Sequence, residues 1–134
     1  MLRFIQNLVA ALAVVSMSSL FLGNAGAQSA APTGLYPNNG TTHSDVVPEF
    51  TWDTVSGASS YNFQVSVRSD FGSTVASYSG GNNYYTPPSG ALARGVLYYF
   101  RVQSITGSTP SAWATHSMRI KTRPVEYAIR IWDT

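Results

Sequence analysis

The chain has 134 residues, 10% charged and 13% aromatic, with a formal net charge of +2 from 8 Lys plus Arg against 6 Asp plus Glu, and no cysteine. That length holds one ordinary domain, and charges so few and so dispersed argue against the clustered basic footprint of a nucleic-acid binder. Disulfides and attachment through a lipidated cysteine are ruled out. The enrichment in Gly, Ser, Thr and Tyr, with helix formers scarce after the first 27 residues, favours short strands and turns over a helical bundle.

Residues 1–27 read as a targeting segment. A single cation, Arg3, precedes an apolar run from Leu8 to Leu22, and Gly23-Asn24-Ala25-Gly26-Ala27 follows. Ala25 and Ala27 supply the small side chains that a signal peptidase reads, which places cleavage before Gln28. As a helix the apolar run would reach only about 22 Å against a hydrocarbon core of about 30 Å. A cleaved signal peptide is therefore expected, with no stable membrane anchor afterwards and a secreted or periplasmic mature chain. Residues 28–31 form a small-residue linker.

The mature chain is punctuated like a sandwich. Leu35 to Pro37 reads as a short first strand before the turn Asn38-Asn39-Gly40. The second strand carries Phe50 and Trp52 on one face, with Pro48 at its start, where a missing donor does least harm. Tyr61, Phe63, Val65 and Val67 then alternate with Asn62, Gln64, Ser66 and Arg68, the period of a half-buried strand. Asp70-Phe71-Gly72-Ser73 breaks that run. Thr74 to Tyr78 is a weaker strand, Ser79 to Asn83 a loop by composition, and Tyr84 to Thr86 a short strand stopped by Pro87-Pro88.

The strongest strand follows the turn at Leu92 to Gly95, with Tyr98, Phe100 and Val102 facing inward and Arg101 and Gln103 outward. Thr106 to Pro110 is a turn, and Thr115 to Thr122 the last strand, with Met118 and Ile120 inward. Trp52, Tyr61, Phe63, Leu92, Tyr98, Phe100 and Val102 are the expected core. Residues 123–134 alternate again from Val125 to Ile131, as an added strand or as a linker. An unpaired strand this apolar would pair at an edge, so an edge-strand dimer is one expectation.

Chemistry is sparse. The only histidines, His43 and His116, have no cysteine partner, and His43 with Asp45 reads as solvated loop. Asp45, Glu49 and Asp53 are four apart, a helical spacing that Pro48 and the alternating Phe50 and Trp52 contradict, so a calcium site is not expected. Ser79-Gly80-Gly81 opens no helix and is no phosphate cradle. No catalytic residue, metal or cofactor is expected. Tyr84, Tyr99 and Trp132 are left as outward aromatics that could stack on a sugar ring; on a sheet surface such residues also pack across strands.

From Pro32 to Thr122 the sequence resembles the fibronectin type III family of exported bacterial proteins. The resemblance is carried by Phe50-Thr51-Trp52, Val55-Ser56-Gly57-Ala58 leading to Tyr61 and Phe63-Gln64-Val65, Leu92 with Gly95 and Tyr98-Tyr99-Phe100-Arg101-Val102, and Ser111-Ala112-Trp113. It implies an all-β, immunoglobulin-like sandwich of about seven strands, with Trp52 between the sheets and a tyrosine corner from Leu92 and Tyr98. Arg94 replaces a frequent proline and Ala114 a usual serine. No Arg-Gly-Asp occurs, and Thr106-Gly107-Ser108 stands at the corresponding turn, so integrin binding is not carried over. The expected function is a non-catalytic exported spacer or protein-interaction module. The alternative is a carbohydrate-binding accessory module, so that the partner is another protein or a cell-surface polysaccharide.

Overall fold

The computed structural model describes residues 29–123. The expected signal peptide and the extension beyond Arg123 lie outside the described residues. Eight short strands are present, and no helix occurs among the described residues: β1 (Thr41–His43), β2 (Phe50–Thr51), β3 (Ser60–Ser66), β4 (Ala76–Gly80), β5 (Tyr84–Tyr85), β6 (Leu97–Thr106), β7 (Thr109–Pro110) and β8 (Ala114–Ile120). The larger sheet runs β1-β8-β6-β3-β4, with β7 added to the end of β6, and β2-β5 make the smaller sheet. Residues 29–123 form an all-β sandwich of these two sheets.

Strand β6 is central because its alternation serves two neighbours at once. It pairs antiparallel with β3 from Ser60↔Ile105 to Ser66↔Tyr99 and with β8 from Leu97↔Arg119 to Val102↔Ala114. Its inward residues Tyr98, Phe100 and Val102 are buried, as are Tyr61, Phe63 and Val65 of β3 and Met118 and Ile120 of β8. The smaller sheet closes over them through Phe50, whose ring lies 5.0 Å from Phe63 and 4.9 Å from Phe100. Trp52 is buried beside it, stacked on Phe63 at 5.5 Å and edge-on to Tyr61 at 5.7 Å. Its Nε1 has no hydrogen-bond partner among the described residues.

The turn before β6 has its own internal lock. Leu92 is buried, and the Tyr98 hydroxyl accepts a hydrogen bond from the Ala93 N–H at 2.7 Å, which gives a buried phenol its partner. Gly95 sits at φ 77°, and a Cβ there would stand 3.0 Å from Thr122 Cγ2. Only glycine takes that backbone conformation freely. Its N–H donates to Ile120 O at 2.7 Å, tying the turn to the end of β8.

Several details differ from the sequence expectation: Thr41–His43 is a strand the sequence did not suggest, and the last strand is Ala114–Ile120 rather than Thr115 to Thr122. Leu35–Pro37 contributes one bridge, Tyr36 with Thr51, rather than a strand, because Pro37 has no N–H to extend the ladder. Val67 does not face the core; it is 49% exposed. The buried Ser66 hydroxyl donates to Ser73 O and accepts from Arg68 N, which turns the chain and ends the alternation one residue early. Strand β4 starts at Ala76 and runs through Ser79 and Gly80, because pairing with Tyr61 to Val65 outweighs their weak strand preference. Thr109–Pro110 is a two-residue strand rather than all turn.

The loop after β3 is closed by a bidentate ion pair, Arg68 Nε to Asp70 Oδ1 at 2.9 Å and Nη2 to Oδ2 at 2.6 Å. These bonds, with one from Gly72 N–H, hold the Asp70 carboxyl well below the usual carboxylate range. A depressed folded value means the contribution is full above the unfolded value of about 3.9 and is lost as pH falls through the folded one. A carboxyl-carbon NMR titration should place the Asp70 midpoint well below about 3.9. Because both side chains are more than half exposed, solvent screening keeps the effect on global stability small, and Asp70→Asn should leave the melting temperature nearly unchanged.

Candidate functional site

Strand alternation that buries one face of the larger sheet turns a second set of residues outward, and register decides which of them meet. Asn62 lies opposite both Ser79 and Gln103, and Gln64 opposite both Ser77 and Arg101. Trp113, just before β8, closes this row, and the six residues Asn62, Gln64, Ser77, Ser79, Gln103 and Trp113, with Phe63 and Tyr78, line an open cleft of about 440 Å³. Its polar groups are uncharged amides and hydroxyls.

The cleft is held by a relay across three strands. Ser79 Oγ donates to Asn62 Oδ1 at 2.8 Å, Asn62 Nδ2 to Gln103 Oε1 at 3.2 Å, and Gln103 Nε2 to Ser111 O at 3.0 Å. The Ser111 hydroxyl accepts from Ser104 N–H at 2.9 Å and donates to Ala112 O, so it supplies the local capping bonds just ahead of Ala114. At the adjoining rim Arg101 Nε donates to Gln64 Oε1 at 2.8 Å. The guanidinium carbon lies 4.2 Å from the Phe71 ring centre and 4.1 Å from that of Trp113. Both are cation–π contacts. Phe71 reaches this position from φ 54°, the left-handed region that a bulky side chain rarely enters.

The sequence-derived aromatics do not converge. Tyr84 is 50% exposed on β5, opposite Thr51, while Tyr99 is half-buried on β6, opposite Ser66 and Ser117. The two occupy different sheets, each facing away from the core, and Trp132 lies outside the described residues. What the sequence reading missed is Trp113 as a cleft wall and Phe71 over Arg101. The outward polarity of Asn62 and Gln64 was readable from alternation; their pairing with β4 was not.

His43, His116, Asp45 and Asp53 each face a backbone or hydroxyl partner. His43 Nδ1 faces the Asp45 N–H at 3.3 Å, and His116 Nδ1 faces Pro37 O at 3.2 Å. Asp45 accepts from Val47 N–H at 3.0 Å and Asp53 from the Thr33 hydroxyl at 3.1 Å. Among the described residues no three His, Asp or Glu side chains gather at metal-binding distance.

No family model matches this chain, and no curated protein matches it. Solved structures do. An Fn3-like protein from Clostridium thermocellum is 25% identical with a TM-score of 0.55, over 73% of this chain and 99% of that one. The fn3 domain of human collagen alpha-1(XX) is 21% identical with a TM-score of 0.56, over 76% and 96% respectively. Part of the alpha-L-rhamnosidase from Dictyoglumus thermophilum, 14% of that chain, also superimposes, at 12% identity and a TM-score of 0.57 over 75% of this chain. At such identities the last two speak for the fold alone.

Proposed function

Residues 29–123 form a fibronectin type III-like domain, and from that premise we propose that the protein is an exported, non-catalytic module serving in line as a spacer and protein-interaction surface. The observation that carries this reading is where the chain enters and leaves. Ser29 Oγ lies 2.9 Å from Ser104 Oγ and 2.8 Å from Thr106 Oγ1, and Ser104 Oγ donates to Ala30 O, so entry is at the C-terminal end of β6. Exit is at the other end, where Gly95 N–H bonds Ile120 O and Ile120 N–H bonds Val96 O. A ten-residue strand, β6, separates them, about 30 Å at about 3.3 Å per residue. Such a module adds length to whatever it is joined to.

Two measurements test this reading. N-terminal sequencing of the protein from producing cells should begin at Gln28. Spin labels at Ala30→Cys and Arg123→Cys, unique in a chain without cysteine, should show separations near or above about 30 Å. An intact N-terminus in the cytoplasm, or labels closer than about 20 Å, would overturn it. Light scattering on the same sample decides the edge-pairing partner: a dimer makes a second copy of the chain the first contact to map. The alternative carbohydrate-binding reading loses Tyr84 and Tyr99 as a joint platform, and is supported instead by the cleft on the larger sheet.

A further inference from the structure

We propose that the cleft between β4 and Trp113, on the outer face of the larger sheet, is a binding site for an uncharged sugar ring of a glycan chain. This goes beyond the spacer reading and does not depend on it.

The donor and acceptor inventory points to hydroxyls. Arginine only donates, so the bond from Arg101 Nε fixes the Gln64 amide with Oε1 toward the guanidinium. Both Nε2 protons of Gln64 then have no partner among the described residues, and neither does the Ser77 hydroxyl directly opposite. Ser79 spends its proton on Asn62 and keeps its lone pairs open. Free donors and free acceptors therefore alternate along one short row, which is what a ligand bearing vicinal hydroxyls, each a donor and an acceptor, can satisfy.

The indole supplies the apolar counterpart. Trp113 lines the cleft while its own position is braced by Arg101 at 4.1 Å. A wall of this kind suits the C–H face of a sugar ring, and a side chain already packed has less freedom to lose when a ligand arrives. The same holds for the polar side: Gln103 is only 9% exposed and is bonded at both ends of its amide. The opening of about 440 Å³ falls in the size range of ligand clefts.

Charge is not the recognised feature. Arg101 packs against the Phe71 and Trp113 rings and is bonded through Nε to Gln64, so it acts as a positioning residue for Trp113 and Gln64. No carboxylate lines the cleft either. The chemistry fits a neutral ring better than a uronate.

The test is a titration of the protein, followed by proton–nitrogen NMR, with soluble neutral oligosaccharides of β-linked glucose, xylose and N-acetylglucosamine, and with oligogalacturonate. At least one neutral oligosaccharide should bind with a dissociation constant of about 1 mM, shifting the Trp113 indole and Gln64 side-chain amide signals. Ser77→Tyr, an exposed strand position whose new ring fills the cleft, should weaken binding about tenfold or more without changing the melting temperature. Gln64→Glu keeps the bond to Arg101 and removes the free donors, and should weaken binding even if Ser77→Tyr proves unstable. The proposal is overturned by no shifts with any neutral oligosaccharide, by shifts centred on Tyr84, by affinity indifferent to both variants, or by binding confined to oligogalacturonate.

Discussion

Phe100→Ala is expected to remove a large share of the protein's stability and lower its melting temperature by about 20 °C. Phe100 is 1% exposed and, with Phe63, is one of the larger sheet's two contacts with Phe50, whose ring lies 4.9 Å away; on its own sheet it packs 6.2 Å from Phe63 and 5.7 Å from His116. Removing it deletes transfer free energy and opens a cavity that two paired sheets cannot close, a cost of about 3–5 kcal/mol. A domain this size has only about 5–15 kcal/mol in total, and this one has no disulfide to limit its unfolded state. Trp52→Ala should fall toward the lower end of the same range, because it also removes the unpartnered Nε1. Circular-dichroism melts check both; cooperative unfolding above about 50 °C for either variant would mean that the core is not organised around these rings. Phe100→Leu keeps most of the volume and should cost less than about 1.5 kcal/mol.

Tyr98→Phe should destabilise by about 1–3 kcal/mol without changing the size of the core. Among the described residues the phenol is the one partner of the Ala93 N–H, at 2.7 Å, and the ring otherwise packs like phenylalanine. Losing the hydroxyl leaves a partly buried donor unmade in the turn that feeds β6. Hydrogen exchange gives the local readout: the Ala93 amide should lose protection beyond the global change in stability. Tyr61→Phe is the natural comparison, because its hydroxyl performs the same service for Val55 N–H at 2.9 Å, ahead of β3. If Tyr98→Phe melts with the wild type and Ala93 keeps its protection, the corner is not a stabilising device in this protein.

The proposed glycan cleft and the stability of the core are physically linked. Gln64 and Arg101 on the outer face alternate with Phe63, Val65, Phe100 and Val102 on the inner one. A register slip of one residue would expose those core side chains and scatter the cleft. The fold therefore guards the arrangement of the amides, and Ser77→Tyr, which spares both the inner face and the buried Gln103 relay, should leave the melt unchanged.

What the sequence by itself determined is the inward and outward faces of the long strands and the turns that glycine and proline set. Alternation from Tyr61 to Val65 and from Tyr98 to Val102 identified strands and their inward faces, because side-chain direction in a strand has period two whatever the partner. The turn at Gly95 and the strand start after Pro48 were legible for the same reason: glycine and proline act on their own backbone. The end of β3 was missed because it depends on a bond from Ser66 to Ser73, seven residues on. Tertiary structure alone decided that Ser77 and Ser79 stand beside Gln64 and Asn62, that Trp113 and Phe71 cover Arg101, and that Tyr84 and Tyr99 part to different sheets. Those neighbours are set by which strands pair and in what register, a cooperative outcome of burying one shared core, and no spacing along the chain encodes it.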